Sequence, residues 1–282
     1  GDYILIEYKT LEGYMLKKDL LAVTIENHKI NKVYYDAPIA NEAEWGKFSI
    51  KKTDMKGNLV GSARQAQFEL YVKVDGTWKK KEGEPISVPK DGYLSGRLEP
   101  GDYKVIEIRT PQENNAQTTI NFELNTKEYE FTVVKGKITE VGESVTIADK
   151  GTSITAIPNE PKGSVVITKY GYKNPGDDTK KVTLKGAKFK IYSKDGQGKK
   201  IYVKDDSGSD LVKETGSDGK TSFTGLNAGT YYIEEQESDA MEKSGYAIKK
   251  EDTKVVIQTG KAFNELPIEI SIYDEPKTGV VQ

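Results

Sequence analysis

An ordered set of short signals recurs along this 282-residue chain at matching distances, and that repetition limits the fold more than any other feature. The first copy begins with GKFSIKK at residues 46–52 and continues through AQFELY at 66–71, an Asp91-Gly92 turn and LEPGDYKVIE at 98–107. It closes with PNEP at 158–161. The second begins with GSVVITK at 163–169 and continues through AKFKIY at 187–192, Asp218-Gly219 and LNAGTYYIEE at 226–235. It closes with YDEP at 273–276. In both copies the Tyr lies five positions after the Leu, and the Glu four positions after that Tyr. A partial copy opens the chain: GDYILIE at residues 1–7 matches the Gly-x-Tyr-x-x-x-Glu segment, and Ala40-Asn41-Glu42 matches the closing segment. Gly279-Val280-Val281-Gln282 resembles the start of another first strand. The expected organisation is the back part of a preceding domain at 1–45, domains at 46–160 and 161–276, and the start of a following strand or a linker at 277–282. Residues 1–45 read equally well as a short extended cap packed on the next domain.

Each signal has the character of a strand or a tight turn. Segments such as Phe68-Glu69-Leu70-Tyr71-Val72 and Ile268-Glu269-Ile270-Ser271-Ile272 alternate or are β-branched, and Asp-Gly or Gly-Asp pairs punctuate them. An apolar share of 35% suits thin sandwiches whose sheets bury one face and wet the other. The expected class is all-β, as tandem β-sandwiches in a rod-like array.

Composition then removes several functions. With 42 basic against 44 acidic side chains there is no basic field for nucleic acid or an anionic membrane. Without cysteine, and with His28 as the one histidine, thiolate nucleophiles, Cys-zinc sites and His-based triads are excluded or nearly so. No enzyme of the ordinary kinds, no metal and no cofactor is expected. The longest apolar runs are four to six residues, too short to span a bilayer, and Gly1-Asp2-Tyr3 lacks the layout of a signal peptide.

Strand phase is what turns the repeat into chemistry, because residues two apart share a face of a sheet. Counting by two from the apolar positions gives Phe48, Ile50, Lys52 on the first strand, Tyr103, Val105, Glu107 on the central one, and Ile157, Asn159 on the last. The second copy gives Val165, Ile167, Lys169, then Tyr231, Ile233, Glu235, then Ile270, Ile272, Asp274. The partial copy gives Tyr3, Leu5, Glu7 and Ile39, Asn41, with no equivalent lysine. A buried lysine and glutamate cost several kcal/mol unless paired, hydrogen-bonded or neutralised. Desolvation lowers the lysine and raises the carboxyl, so an uncharged amine can lie beside a protonated acid. Held against Asn159 or Asp274, that amine is a nucleophile, and the Glu can polarise the carbonyl and shuttle protons. The product is an isopeptide bond, with ammonia lost from Asn or water from Asp. The same residues also suit a hydrogen-bonded network in which no bond forms.

The Gly-x-Tyr-x-x-x-Glu segment after an Asp-Gly turn, the Lys ending the first strand and the Asn-Glu-Pro closing the last resemble the collagen-adhesin B-type, prealbumin-like domains of Gram-positive pilins and surface adhesins. The resemblance covers nearly the whole chain. It implies intramolecular bonds from Lys52 to Asn159 assisted by Glu107, and from Lys169 to Asp274 assisted by Glu235. Asp274 departs from the commoner Asn acceptor, and Asn264 is the rival acceptor, ten residues upstream. The resemblance also implies a cell-surface or cell-wall-anchored stalk whose partners are neighbouring domains or pilus subunits. The alternative is an adhesin module in which residues 114–143 or 171–181 recognise a host protein or glycan.

Other signals carry less. Gly219-Lys220-Thr221 ends like a phosphate loop but lacks the glycine five residues earlier, where Glu214 stands. Asp205-Asp206-Ser207-Gly208-Ser209-Asp210 and Gly176-Asp177-Asp178 fit no calcium-loop spacing. Lys79-Lys80-Lys81 reads as a solvated face, Trp45 as packing at a domain joint, Trp78 as a strand end and His28 as surface. Glu275-Pro276-Lys277-Thr278-Gly279 resembles a sortase signal with Glu in place of Leu, but aligns with the linker at 159–163.

Overall fold

The structure, a computed structural model, describes residues 1–18, 20–27, 41, 43–115, 118–174 and 179–277. His28, Gly176-Asp177-Asp178 and the terminal Gly279-Val280-Val281-Gln282 lie outside the described residues.

Alternating inward apolar residues bring two sheets together in each complete repeat. In the first, strand Lys47–Ile50 lies between Ile138–Val141, which is parallel to it, and Tyr93–Leu94, which is antiparallel. Pairing lapses at Lys51 and resumes as strand Lys52–Asp54, parallel to Thr152–Asn159, whose other edge takes Glu143–Ile147. The facing sheet runs Tyr129–Val133, Gly101–Arg109, Ala66–Val74, Thr77–Lys80. Phe48, Ile50, Phe68, Val105, Val141 and Ile157 fill the space between them.

The second repeat follows the same plan. Strand Gly163–Tyr172 runs parallel to Ile268–Pro276 and antiparallel to Lys220–Leu226 and Lys181–Thr183. The facing sheet runs Lys200–Tyr202, Lys188–Lys194, Gly229–Gln236, Thr253–Ile257. Val165, Ile167, Phe189, Ile191, Phe223 and Ile233 form its core. The all-β expectation holds, with one short helix, Asp239–Lys243, added. Ser238 caps it by accepting from the Met241 amide, acidic Asp239 and Glu242 suit its first turn, and Met241 is buried in the core. Among the described residues no helix is long and apolar enough to cross a membrane.

The described residues before 45 pair among themselves. Asp2–Leu5 pairs antiparallel with Leu21–Thr24, Tyr3 facing Val23, and Tyr14 bridges Ala43. Trp45 packs at the joint to the first repeat, as its place in the linker suggested. The Arg97 guanidinium lies 4.6 Å from its ring centre and the Lys47 ammonium 5.5 Å, and a side chain at Gly13 would collide with the indole.

The segment joining the two repeats is paired on both sides. Phe122 bridges Pro161, the Glu123 amide donates to the Glu160 carbonyl, and the Lys162 amide donates to the Asn121 carbonyl. A 3₁₀ turn, Phe263–Glu265, brings the second repeat back onto the first. The Phe263 amide donates to Asp54 Oδ2 at 3.0 Å, and Asn115 Nδ2 donates to the Leu266 carbonyl at 2.5 Å. Beneath them Val60, Ile120 and Phe122 pack with Leu266, Phe263 and Ile268. Part of the 114–143 segment considered as a ligand reader is therefore buried in this joint. Ile120→Ala should cost about 2–4 kcal/mol. In a calorimetric scan it is expected to separate the melting of the two repeats while leaving their covalent state unchanged.

Candidate cross-linking sites

Parallel pairing of first and last strands places each lysine diagonally across from its acceptor. Lys52 faces Ile157, two residues before Asn159, and Lys169 faces Ile272, two residues before Asp274. Because side chains two apart share a face, the acceptor points to the lysine's side of the sheet in both repeats. On the facing sheet Glu107 lies opposite Phe68 and Glu235 opposite Phe189, again the same register. The lysine ammonium lies 5.8 Å from the Phe68 ring centre in one repeat and 6.0 Å from that of Phe189 in the other.

In the first repeat Lys52, Glu107 and Asn159 are 0%, 3% and 1% exposed. Lys52 Nζ donates to the Ile157 carbonyl at 2.8 Å and lies 3.2 Å from Glu107 Oε1. Asn159 Nδ2 donates to Glu107 Oε2 and to the Glu123 carbonyl, each at 2.7 Å. Glu107 thus touches nucleophile and acceptor with different oxygens. The Asn125 amide also donates to its Oε2, at 2.8 Å. Burial pulls the Lys52 amine down to about 8, against the opposing pull of Glu107. Asn159 Oδ1, the carbonyl oxygen of the acceptor, is buried without a hydrogen-bond donor.

The second site holds two carboxyls around one amine. Lys169 Nζ lies 2.7 Å from Glu235 Oε2 and makes a very short contact to Asp274 Oδ1. Burial pushes Glu235 up to about 7 and raises Asp274 as well. Two buried anions against one cation leave an uncompensated charge, which a proton shared over the pair removes. Glu235 Oε1 and Asp274 Oδ2 are buried without a hydrogen-bond partner. Asn264 lies exposed in the 3₁₀ turn at the joint, whereas Asp274 is on the lysine.

Glu7 and Asn41 are also brought together: Asn41 Nδ2 donates to Glu7 Oε1 at 2.6 Å. The phenylalanines escaped the sequence reading, although both stand in the repeated Ala-x-Phe-x-x-Tyr segment that signals them. The main-chain donors to the glutamates, from Asn125 and Lys249, leave no mark in the sequence.

A family profile described as the SpaA prealbumin-like fold domain matches residues 46–144 and 163–271, well over half of the chain. The chain belongs to this family. Among solved structures it is similar to the streptococcal ancillary pilin, at 17% identity over 99% of this chain and 76% of that one, with a TM-score of 0.33. For the shaft pilin SpaA from Lactobacillus rhamnosus GG the values are 14%, 84%, 100% and 0.42. For the Bacillus anthracis TIE protein they are 21%, 84%, 35% and 0.31, so the chain spans about a third of that protein. No curated protein sequence matches the chain. SpaA prealbumin-like domains thus occupy this chain twice, in tandem.

Proposed function

We propose that this chain is a stalk segment of a Gram-positive cell-surface adhesin or pilin, made tension-resistant by two self-formed isopeptide bonds, Lys52–Asn159 and Lys169–Asp274. The observation that carries this reading is the buried Lys52–Glu107–Asn159 cluster, with its lowered amine and its equivalent in the second repeat. In the first repeat the Nζ lone pair attacks Asn159 Cγ, a C–N bond forms, and Glu107 carries a proton from the amine to the departing nitrogen, which leaves as ammonia. In the second repeat the attack is on Asp274 Cγ and water leaves. The reaction occurs once per fold and without turnover, so the chain is not an enzyme.

The bonds join the first strand to the last, so tension entering and leaving a repeat passes through one covalent link and leaves the sandwich unstretched. Closing loops of 105 residues or slightly more contributes about 4–5 kcal/mol by the loop-entropy argument used for disulfides.

Intact mass under denaturing conditions tests the reading. The wild-type chain is expected to be lighter than its sequence by one ammonia and one water, and Glu235→Ala should regain the water alone. A chain of full mass would reduce both clusters to hydrogen-bonded networks and remove the covalent stalk.

A further inference from the structure

We propose that Glu123 and Asn125 are positioning residues for the Lys52–Asn159 bond, and that docking of the second repeat sets them in place, so that the first bond closes only once the joint has formed. The proposal rests on the reading of Lys52 and Asn159 as cross-linking partners.

A side-chain amide turns easily about its terminal torsion, so an acceptor amide needs partners that fix its plane. Asn159 Nδ2 carries two hydrogens, and both are used at 2.7 Å, one on Glu107 Oε2 and one on the Glu123 carbonyl. That pair of bonds holds the nitrogen that departs as ammonia. Asn125 steadies the groups on either side. Its backbone amide donates to Glu107 Oε2 at 2.8 Å, and its Nδ2 donates to the Pro158 carbonyl at 2.8 Å and to the Tyr129 hydroxyl at 3.0 Å. Residues 123–125 thus grip the assisting carboxyl, the acceptor and the residue before the acceptor.

What keeps this clip in register lies at the joint. The Glu123 amide donates to the Glu160 carbonyl at 2.9 Å, and the Lys162 amide donates to the Asn121 carbonyl at 2.7 Å, both across to the link between the repeats. Glu160 Oε1 in turn accepts from the Gly260 amide of the second repeat at 2.6 Å. Phe122, between the two anchors, is 3% exposed in the cluster that Leu266 and Phe263 of the second repeat complete. The second site is built differently. Glu235 takes its main-chain donor from Lys249, at 3.2 Å, within the same repeat. The first bond therefore depends on the second repeat, whereas the second bond is indifferent to the joint. While the joint is open, only the fraction of molecules with residues 121–125 in register reacts, and the observed rate falls by that fraction. A growing chain folds its earlier domain first, so the first repeat would stay unbonded until the second has folded against it.

The test refolds full chain recovered unfolded and unbonded, and follows ammonia loss and water loss separately by intact mass under denaturing conditions. Leu266 packs in the joint cluster and not in the second core, so Leu266→Ala loosens the joint without hollowing either sandwich. Ammonia loss is expected to slow about five- to tenfold while water loss keeps its wild-type rate. The final mass is the same, and Leu266→Met, which nearly conserves volume, should restore the rate. The pH midpoint of ammonia loss should stay near 8, because the clip orients the acceptor and leaves the amine buried. Phe263→Ala, at the same joint, is the second variant and should behave alike. Ammonia loss at the wild-type rate in both variants overturns the proposal. So does a slowed loss whose midpoint climbs towards 10.5, because Lys52 would then be hydrated and the first repeat loosened as a whole. Equal slowing of ammonia and water loss in both variants overturns it too, since a general folding defect would then set both rates. If the reading beneath the proposal is what fails, the wild-type chain itself loses no ammonia at any pH, and the proposal falls with it.

Discussion

Glu107→Ala is expected to keep the ammonia that the proposed Lys52–Asn159 bond would release from the first repeat, and to bring that repeat close to unfolding. Two losses coincide. Without the carboxyl no proton reaches the leaving nitrogen, so the cross-link and its contribution of about 4–5 kcal/mol are absent. Lys52, 0% exposed, then remains buried without its anionic partner, a further cost of about 3–5 kcal/mol. Together these approach the whole stability of an ordinary domain, about 5–15 kcal/mol. Thermal unfolding should show the first repeat melting some tens of degrees lower, with the second repeat nearly unmoved apart from what the joint transmits. A triple variant, Lys52→Met with Glu107→Leu and Asn159→Leu, separates the two terms. It also lacks the bond but strands no charge, so it should recover the burial term and lose only the cross-link. Equal melting of the single and triple variants would show that the stranded lysine carries no cost. Wild-type mass and melting in Glu107→Ala would refute its role altogether.

How much of this could be read from residues follows from which distances a sequence encodes. Lys52, Glu107 and Asn159 announced themselves because strand alternation is local, and a polar residue in the apolar phase is visible within five positions. The repeat then supplied the partners, since a second copy with Lys169, Glu235 and Asp274 has no reason to preserve the phase by accident. Alternation does not say that first and last strands run parallel, nor that the acceptor sits two residues past the residue facing the lysine. Those are properties of the closed sandwich. The joint was least legible. Asp54 and Phe263 are 209 residues apart, and nothing in either neighbourhood signals their hydrogen bond. The link at Glu160-Pro161-Lys162 read as a simple connector because its main-chain pairing to Asn121 and Glu123 leaves no side-chain pattern.

The two bonds should form with opposite pH dependence, because each site is limited by a different proton. In the first repeat the scarce species is the neutral amine. With Lys52 pulled to about 8, about one amine in ten is uncharged at pH 7, and the rate should rise nearly tenfold per pH unit before levelling above 8. The unbonded fold behaves in parallel. A lysine lowered from 10.5 to about 8 destabilises it by about 3 kcal/mol at neutral pH, a cost relieved as pH rises from about 8 to about 10.5. In the second repeat the scarce species is the protonated acid. Glu235 is raised to about 7 and Asp274 is raised too, so at mildly acidic pH the pair holds the proton needed to polarise the acceptor and release water. As pH climbs through about 7 that proton is lost, the reaction slows, and the unbonded second repeat loses stability because its unfolded carboxyls have already ionised. Chain recovered unfolded and unbonded, then refolded from mildly acidic to mildly alkaline pH, allows both reactions to be followed in one sample. Loss of water and loss of ammonia are distinct in mass. Water loss should lead at the acidic end and ammonia loss at the alkaline end. Identical profiles for the two would mean that a shared event such as folding limits both bonds, and that neither the Lys52 amine nor the Glu235 carboxyl sets the rate.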